Sequence, residues 1–557
     1  MKKQFSTNWR SISFGMSALL LGAGALAAQA PTKAPAKSLA HPQSTPLLPA
    51  VPEKVDAVAL ARIRDEAHGH SHVMDTARYL ADIAGPRLTG SHGLRVAQAY
   101  TRDRLKEWGL VSARLEPWGP FGRGWALEGF VANLTAPNFG PLLGHPKAWS
   151  PSTAGLLRGE PLLFDVRTLA DLERYKGKLR GRIVLLGGAR PVLQLPPPRR
   201  LSDSDLLRLA DAGPPAPTRS FVPTPERNVA IDLEERKWRM LYGEGPAVVL
   251  EPGAGENGTM TVTAARALPV QGQAPAQRNH PWDMKKSPVL PQVVLAAEHY
   301  NRLARLATSG APLKVEIQVT ARYFEEDLMS ANVIAEIPGG DLKDEVVMLG
   351  GCLDSWHAGT GATDNAAGAA VAMEAVRILM ATGLRSRRTI RVALWSGEEQ
   401  GALGSSAYVA EHFGRFVTGP DGVARLTLGP DHGRLAGYFN LDWGPGRIRG
   451  VYLQGNEAVR PVFRAWLAPL ADLGATTLTS TGLGLGDHVS FDAVGLPGFQ
   501  FLRDFMEGPG GPGHTNMDVY DRLQEDDLKQ SACVAATFAY LLANRDQKLP
   551  RKAPGSR

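Results

Sequence analysis

From residue 331 onward, short β-branched and aromatic runs alternate with longer stretches of helical pattern, and this alternation constrains the fold more than any other feature. Five runs are predicted to be strands: ANVIAEI (331–337), EVVMLGG (345–351), TIRVALWS (389–396), LAGYFNLDW (435–443) and GFQFL (498–502). Residues 366–382, between the second and third runs, have the pattern of a helix. The alternation predicts an α/β fold: a mixed, mostly parallel sheet with helices on both faces.

Residues suited to metal binding or acid–base chemistry follow four of these strands. They are Cys352 and Asp354 after the second strand, Asp364 at the start of the next helix, Glu398 and Glu399 after the third strand, Asp442 after the fourth and His514 after the fifth. The carboxyl ends of parallel strands meet at one edge of a sheet, so these side chains should lie close together. Clustered carboxylates repel one another, which makes a bound cation the expected partner.

Several of these stretches resemble the co-catalytic two-zinc exopeptidases. The matching stretches are GGCLDSWHAGTGATDNAAG (350–368), LWSGEEQGALGS (394–405), NLDWG (440–444), DHVSF (487–491) and GHTNMDVYD (513–521), with GPRLTGS (85–91) as a looser match. Residues 331–545 are most similar to the plasma glutamate carboxypeptidase (carboxypeptidase Q) branch, whose catalytic domain carries an inserted protease-associated domain. The resemblance implies a zinc exopeptidase fold and two zinc ions per chain.

The resemblance also implies a role for each matched position. Asp364 would bridge the two metals, Asp442 and the residue at position 352 would complete one metal's set, and Glu399 and His514 would hold the other. Glu398 corresponds to the family's general base, and Asp354 to the carboxylate that orients the first ligand. Asp487 and His488 correspond to a segment that lines the substrate pocket.

The implied reaction is hydrolysis of a terminal peptide bond. In the family, a metal-bound hydroxide attacks the scissile carbonyl, and the general base moves the water proton to the leaving amine. The expected partner is a peptide or dipeptide. Whether the chain acts as an aminopeptidase, a carboxypeptidase or a dipeptidase is left open by the sequence, and so is dimerisation.

Cys352 departs from the family pattern, because that position is normally histidine. A thiolate is itself a zinc ligand, with a Zn–S distance of about 2.3 Å against about 2.0–2.1 Å for nitrogen, so Cys352 can replace the imidazole. Two other interpretations remain: an enzyme with a single or altered metal, or a protein without catalysis. A receptor-like binding protein and a single-zinc glutaminyl-cyclase-like transferase are the corresponding alternative functions.

The middle of the chain differs in composition from the part after 331. Residues 141–320 are rich in Pro and Gly and contain short strand-like pieces, which predicts a β-rich insert. The resemblance implies that this insert is the protease-associated domain. The first part of the catalytic domain is expected at 55–140 and the rest at 321–546. Residues 31–54 are expected to be a disordered linker and 547–557 a disordered tail.

The first 30 residues have the pattern of a cleaved signal peptide. Lys2, Lys3 and Arg10 precede an apolar stretch that ends at Ala28-Gln29-Ala30, and this predicts export to the periplasm or the medium. A retained membrane anchor is the alternative, although the apolar stretch is short for a span. The two cysteines allow at most one disulfide, and the net charge of +7 comes without a basic run, which argues against nucleic acid.

Overall fold

The structure, a computed structural model, describes residues 53–192, 199–214, 224–269, 279–283, 288–506 and 513–552. The predicted signal peptide, the linker up to residue 52 and the last five residues lie outside this part of the chain. The strands are β1 (Val111–Trp118), β2 (Gly124–Ala136), β3 (Gly140–Pro141), β4 (Gly144–Pro146), β5 (Leu157–Gly159), β6 (Leu162–Phe164), β7 (Ile183–Leu186), β8 (Val248–Pro252), β9 (Gln292–Leu295), β10 (Lys314–Phe324), β11 (Ser330–Ile337), β12 (Leu342–Cys352), β13 (Arg388–Trp395), β14 (Gly414–Thr418), β15 (Ala424–Leu428), β16 (Leu435–Asn440), β17 (Ile448–Tyr452), β18 (Thr477–Thr479) and β19 (Gly498–Arg503).

The helices connect these strands and flank the sheets. They are α1 (Ala57–Gly69), α2 (Val73–Arg78), α3 (His92–Glu107), α4 (Leu169–Glu173), α5 (Asp203–Asp211), α6 (Pro225–Glu244), α7 (Ala297–Ser309), α8 (Ala367–Thr382), α9 (Leu403–His412), α10 (Arg460–Leu467), α11 (His488–Ala493) and α12 (Glu525–Asn544). The five predicted strands correspond to β11, β12, β13, β16 and β19, and the predicted helix to α8.

An eight-stranded sheet in the order β1-β11-β13-β12-β16-β19-β17-β18 forms the centre of the catalytic part. Its middle strands β13, β12, β16 and β19 are parallel, while β1, β11 and β17 pair antiparallel with neighbours. Helices cover both faces of the sheet. The sequence-based prediction of a mixed, mostly parallel α/β sheet is therefore confirmed.

Helix α8 is the centre of the largest apolar core. Its Ala-rich sequence favours a helix and lets it pack closely, and Val371, Met373 and Val376 are completely buried. It packs against α12, α1 and α2 on one face of the sheet, while α9 and α11 cover the other face. Because α8 begins directly after the loop that carries Asp364, its burial fixes the position of that loop.

Two further sheets lie in the middle of the chain. A five-stranded sheet has the order β4-β9-β8-β7-β6, with α6 and α7 packed on it. In a four-stranded sheet, the long strands β2 and β10 pair from Gly124 with Phe324 to Ala136 with Lys314. This ladder joins the chain before the predicted insert (141–320) to a strand that crosses the predicted end of the insert at residue 320.

The end of the chain differs from the prediction of a disordered tail starting at 547. The backbone N–H of Leu549 donates to the Ala436 oxygen at 3.2 Å, and its side chain is 2% exposed. Lys548 pairs with Glu345 at 3.1 Å. Residues 547–552 are ordered because one apolar side chain among the basic residues packs at the start of β16. Within the described ranges, no helix is both long and apolar enough to cross a membrane.

Candidate metal centre

Cys352 is the last residue of β12, at the carboxyl edge of the sheet. Its side chain is completely buried, and the Asn365 amide donates a hydrogen bond to its Sγ at 3.3 Å. Potential ligand atoms of Cys352, Asp364 and Asp442 all lie within 4.8 Å of one another. The structure thus brings together the three residues expected to form one metal site.

The second expected set also assembles, and it shares Asp364 with the first. The His514 Nε2 lies 3.0 Å from the Asp364 Oδ2 and 2.9 Å from the Glu399 Oε2, and the ligand atoms of the three residues lie within 4.8 Å. The Glu399 Oε1 is buried without a hydrogen-bond partner. A carboxylate common to two ligand sets is the arrangement that a bridging ligand requires.

The clustered carboxyl and thiol groups favour a bound cation, which would neutralise their negative charges. Burial raises the pKa of the Cys352 thiol and of the Glu399 and Asp442 carboxyls well above their ordinary values, and the neighbouring negative charges add to the rise. Burial opposes protonation of His514, but the Glu399 and Asp364 carboxylates outweigh it and raise its pKa. Nitrogen, sulfur and oxygen donors in a buried acidic site suit zinc, so these residues fit two zinc ions.

Glu398 lies beside the cluster and is only partly buried. Burial, followed by the charges of Asp442 and Asp487, raises its pKa well above the ordinary value for glutamate. A carboxyl with a raised pKa can hold a proton near neutral pH and release it again, as a general base must during a hydrolysis. Glu398 as the proton carrier stays a prediction, and its raised pKa is a property that this role requires.

Asp354 holds the turn that carries the two glutamates. It accepts hydrogen bonds from the backbone N–H groups of Glu398 and Glu399 at 3.2 and 3.3 Å and from the Thr89 hydroxyl at 2.9 Å. The contact with Cys352 that its expected role implies is not among these bonds, and the amide of Asn365 faces the sulfur instead. Burial raises the pKa of Asp354 to about 6.

Two residues outside the predicted set fix the loop before α8. Asp518 accepts hydrogen bonds from the Thr363 N–H and hydroxyl at 2.6 and 2.8 Å and from the Asp364 N–H at 3.2 Å. Arg87 is completely buried and donates to the Leu353, Thr360 and Gly361 oxygens at 2.7–2.8 Å. Both residues lie in stretches quoted for the resemblance, which is the signal that could have identified them.

Asp487 and His488 differ from the expectation of a substrate pocket, because both side chains are completely buried. The His488 ring lies against Gln454 and the Leu483 carbonyl. Burial raises the pKa of Asp487, and so do the charges of Asp442 and Asp354, while the Ser405 hydroxyl opposes the rise. Asp487 is therefore a buried carboxyl whose charge raises the pKa values of Cys352 and Glu398.

Comparison with known proteins gives this geometry a family context. Residues 332–539 match the model of peptidase family M28. Over 264 residues the chain is 29% identical to carboxypeptidase Q of Mus musculus, an alignment that covers 47% of this chain and 52% of that protein. Over 120 residues it is 38% identical to leucine aminopeptidase 2 of Trichophyton equinum, covering 22% of this chain and 23% of that protein. The chain thus spans about half the length of carboxypeptidase Q.

Solved structures agree at the level of the fold. A peptidase M28 precursor from Shewanella amazonensis matches with a TM-score of 0.61 at 21% identity, over 89% of this chain and 98% of that one. A zinc aminopeptidase from Bacillus subtilis matches with a TM-score of 0.52 at 17% identity, over 86% of this chain and 96% of that one. Residues 332–539 are thus similar in sequence to peptidase family M28, and the fold agrees with that of the M28 precursor structure.

Proposed function

We propose that the chain is a zinc-dependent exopeptidase that hydrolyses terminal peptide bonds. The observation that carries this proposal is the pair of ligand sets that share Asp364, with Glu398 beside them. The M28 domain and the similarity to carboxypeptidase and aminopeptidase sequences support it. Cys352, Asp364 and Asp442 would hold one ion, and Asp364, Glu399 and His514 the other.

The bound ions would supply Lewis acidity, which polarises the scissile carbonyl and stabilises the oxyanion. Glu398 accepts a proton from the attacking water as the oxygen–carbon bond forms, and donates it to the leaving nitrogen as the carbon–nitrogen bond breaks. Asp354 keeps the Glu398 backbone in place through the 3.2 Å bond to its N–H. Glu398 ends the cycle in its starting protonation state.

Cys352 is proposed to bind as a thiolate. Its sulfur is the donor atom that completes the first ligand set with Asp364 and Asp442. The Asn365 amide, at 3.3 Å, donates toward the sulfur and would stabilise its negative charge. A thiolate is a softer donor than imidazole and would make the first ion a weaker Lewis acid than in a histidine-containing site.

Metal content and peptide hydrolysis test the proposal together. The purified chain should contain about two zinc ions per chain, release an amino acid or dipeptide from a mixed peptide library, and lose this activity reversibly on chelation. Peptides blocked at either terminus would show which end is recognised. One zinc with cyclisation of amino-terminal glutamine would support a transferase, and absence of zinc and hydrolysis would contradict the peptidase.

Export of the protein is part of the same proposal. The basic residues, apolar stretch and Ala28-Gln29-Ala30 of the first 30 residues support it. Sequencing the amino terminus of the protein from a cell that expresses the whole chain provides the test. A mature chain that begins at residue 31 is expected, whereas an intact Met1 in the soluble protein would contradict export by cleavage.

A further inference from the structure

A short segment of the middle region, residues 258–262, pairs with the loop that carries His514. Thr261 and Thr515 form an antiparallel bridge, and the Val262 N–H donates to the His514 oxygen at 2.9 Å. The Asn516 N–H donates to the Met260 oxygen at 3.3 Å. The pairing joins the middle region to the backbone of a proposed metal ligand.

The Asn516 side chain strengthens this pairing from both of its amide atoms. Its oxygen accepts from the Met260 N–H at 2.9 Å, and its nitrogen donates to the Gly258 oxygen at 3.1 Å. The side-chain amide thus accepts and donates hydrogen bonds as a backbone peptide group would in the short ladder. Asn516 contacts neither the metal ligands' side chains nor Glu398 through any of these bonds.

The loop needs such support because His514 has an unfavourable backbone conformation. Its φ is 62°, in the left-handed region, where a residue with a Cβ costs on the order of 1 kcal/mol. Such a conformation persists only when contacts with the surrounding structure stabilise it. The bond from Val262 to the His514 oxygen is one such contact, and it comes from the middle region.

The chain after Cys352 also contacts this loop. Gly359 approaches so closely that an added Cβ would lie 2.6 Å from the Thr515 and Asp518 oxygens. Met260 and Val262 are buried with Val294 and Ala296 of the middle region, and Ala358 packs against this group. The His514 loop therefore contacts both segment 258–262 and residues 358–360.

We infer that Asn516 is a positioning residue for the second metal, acting by fastening the His514 loop to segment 258–262. The middle region is then a structural component of the metal centre, in addition to any part it has in substrate access. This inference rests on the proposed function only in requiring that His514 bind a metal. Asn516 acts on that metal through the backbone conformation of His514.

The test is zinc binding by Asn516→Ala, measured by competition with a chelator. We expect the affinity for the second zinc to fall by about 10–100-fold, as for other residues that orient a ligand, with the first zinc retained. Asn301→Ala is the matched control: its amide also makes two bonds to a backbone, accepting from the Arg190 N–H at 2.8 Å and donating to the Arg190 oxygen at 2.7 Å. This control should keep both zinc ions.

A double-mutant cycle separates positioning from general destabilisation. In a His514→Ala background the second zinc is already lost, so adding Asn516→Ala should cause no further loss of zinc. Further loss there, equal loss in Asn301→Ala, or unchanged zinc affinity in Asn516→Ala would each overturn the inference. If the unmodified chain binds no zinc, the proposed function fails, and hydrogen exchange then tests the pairing of the two segments by itself. The Val262 amide should exchange faster in Asn516→Ala than in the unmodified chain. Unchanged exchange of this amide would overturn the inference.

Discussion

The environment of Cys352 disfavours its thiolate, although the charge of the buried Arg87 also acts on it. Burial raises the pKa of its thiol, and the surrounding carboxyls of Asp442, Glu398 and Asp487 raise that pKa further. In the metal-free protein the thiol is thus protonated and inaccessible, so slow alkylation alone cannot show that it binds metal. Binding of zinc would have to displace a proton from the sulfur.

Cys352→Ser should therefore weaken the first metal site, because a neutral hydroxyl is a poor zinc ligand. We expect the affinity for the first ion to fall by at least roughly tenfold. Even the loss of a residue that only hydrogen-bonds to a metal ligand lowers metal affinity by about 10–100-fold. Cobalt replacement gives a direct readout: the thiolate-to-metal charge-transfer absorption should be present in the unmodified chain and absent in the variant. Cys533→Ala, at the other buried cysteine, should leave the absorption unchanged. Identical cobalt spectra for Cys352→Ser and the unmodified chain would rule out sulfur ligation.

Glu398→Gln removes the proposed proton carrier but keeps the size of the side chain. Turnover should fall by about 10²–10⁴, the range expected for loss of a general base, while zinc content stays the same. Glu326→Gln, an exposed glutamate, is the matched control and should keep full activity. An active Glu398→Gln enzyme would show that another group moves the proton.

At the scale of elements, the carboxyl ends of four parallel strands bring the ligands together. The loop between β12 and α8 is the least regular of these connections, and it is fixed by Asp518 on one side and by Arg87 on the other. Asp518 satisfies three donors of Thr363 and Asp364 with its two oxygens. Its carboxylate therefore orients Asp364, the proposed bridging ligand, without being a proposed ligand itself.

Asp518→Asn tests this role. The asparagine side chain has only one acceptor oxygen. Either the two Thr363 donors or the Asp364 N–H would therefore face its NH₂ group, and this repulsion would shift the loop. We expect metal affinity to fall by about 10–100-fold, because both ions share Asp364. Asp521→Asn, at an exposed aspartate three residues later, should bind zinc normally. Unchanged zinc affinity in Asp518→Asn would show that the loop does not depend on this carboxylate.

The sequence predicted the five central strands and helix α8, because periodicity and strand-end residues are local signals. It did not distinguish Asp518, which accepts from the backbone, from Asp364, which faces the cluster, since both are aspartates in Gly-rich loops. The burial of Asp487 and His488 depends on how α11 packs against β19, where Gly498 lies close to His488. The order of residues 547–552 likewise depends on a distant contact, that of Leu549 with β16.

At the scale of the whole molecule, the metal-free protein carries several carboxyls that burial makes reluctant to ionise. Burial raises the pKa of Asp354 to about 6 and that of Asp518 to about 7, from 3.8. Between the ordinary value of 3.8 and these raised values, the folded chain binds more protons than the unfolded chain. The free energy of unfolding therefore decreases as pH rises through this range. The raised pKa of His514 acts in the same direction, but only above its ordinary value of 6.5.

The metal-free protein should therefore become less stable as pH increases from about 4 to about 7. In the presence of a strong chelator, the thermal unfolding temperature should fall across this range, by an amount on the order of a few degrees. Zinc should reverse the trend, because it binds the deprotonated ligands and competes better as pH rises. A chelated protein whose unfolding temperature rises between these pH values would contradict the proposed balance of charges.

The packing of residues 548–552 against the starts of β12 and β16 also determines how the protein can be handled. Lys548 contacts Glu345 and the Gly433 oxygen, and Arg551 contacts the His432 and Leu435 oxygens. These contacts lie at the amino edge of the parallel strands, whereas the ligand residues lie at the carboxyl edge. A linker or affinity tag fused after residue 552 thus starts from the face opposite the metal centre. The protein could be attached to a bead or sensor by this end, with the carboxyl edge of the sheet and its proposed ligands turned toward the solution.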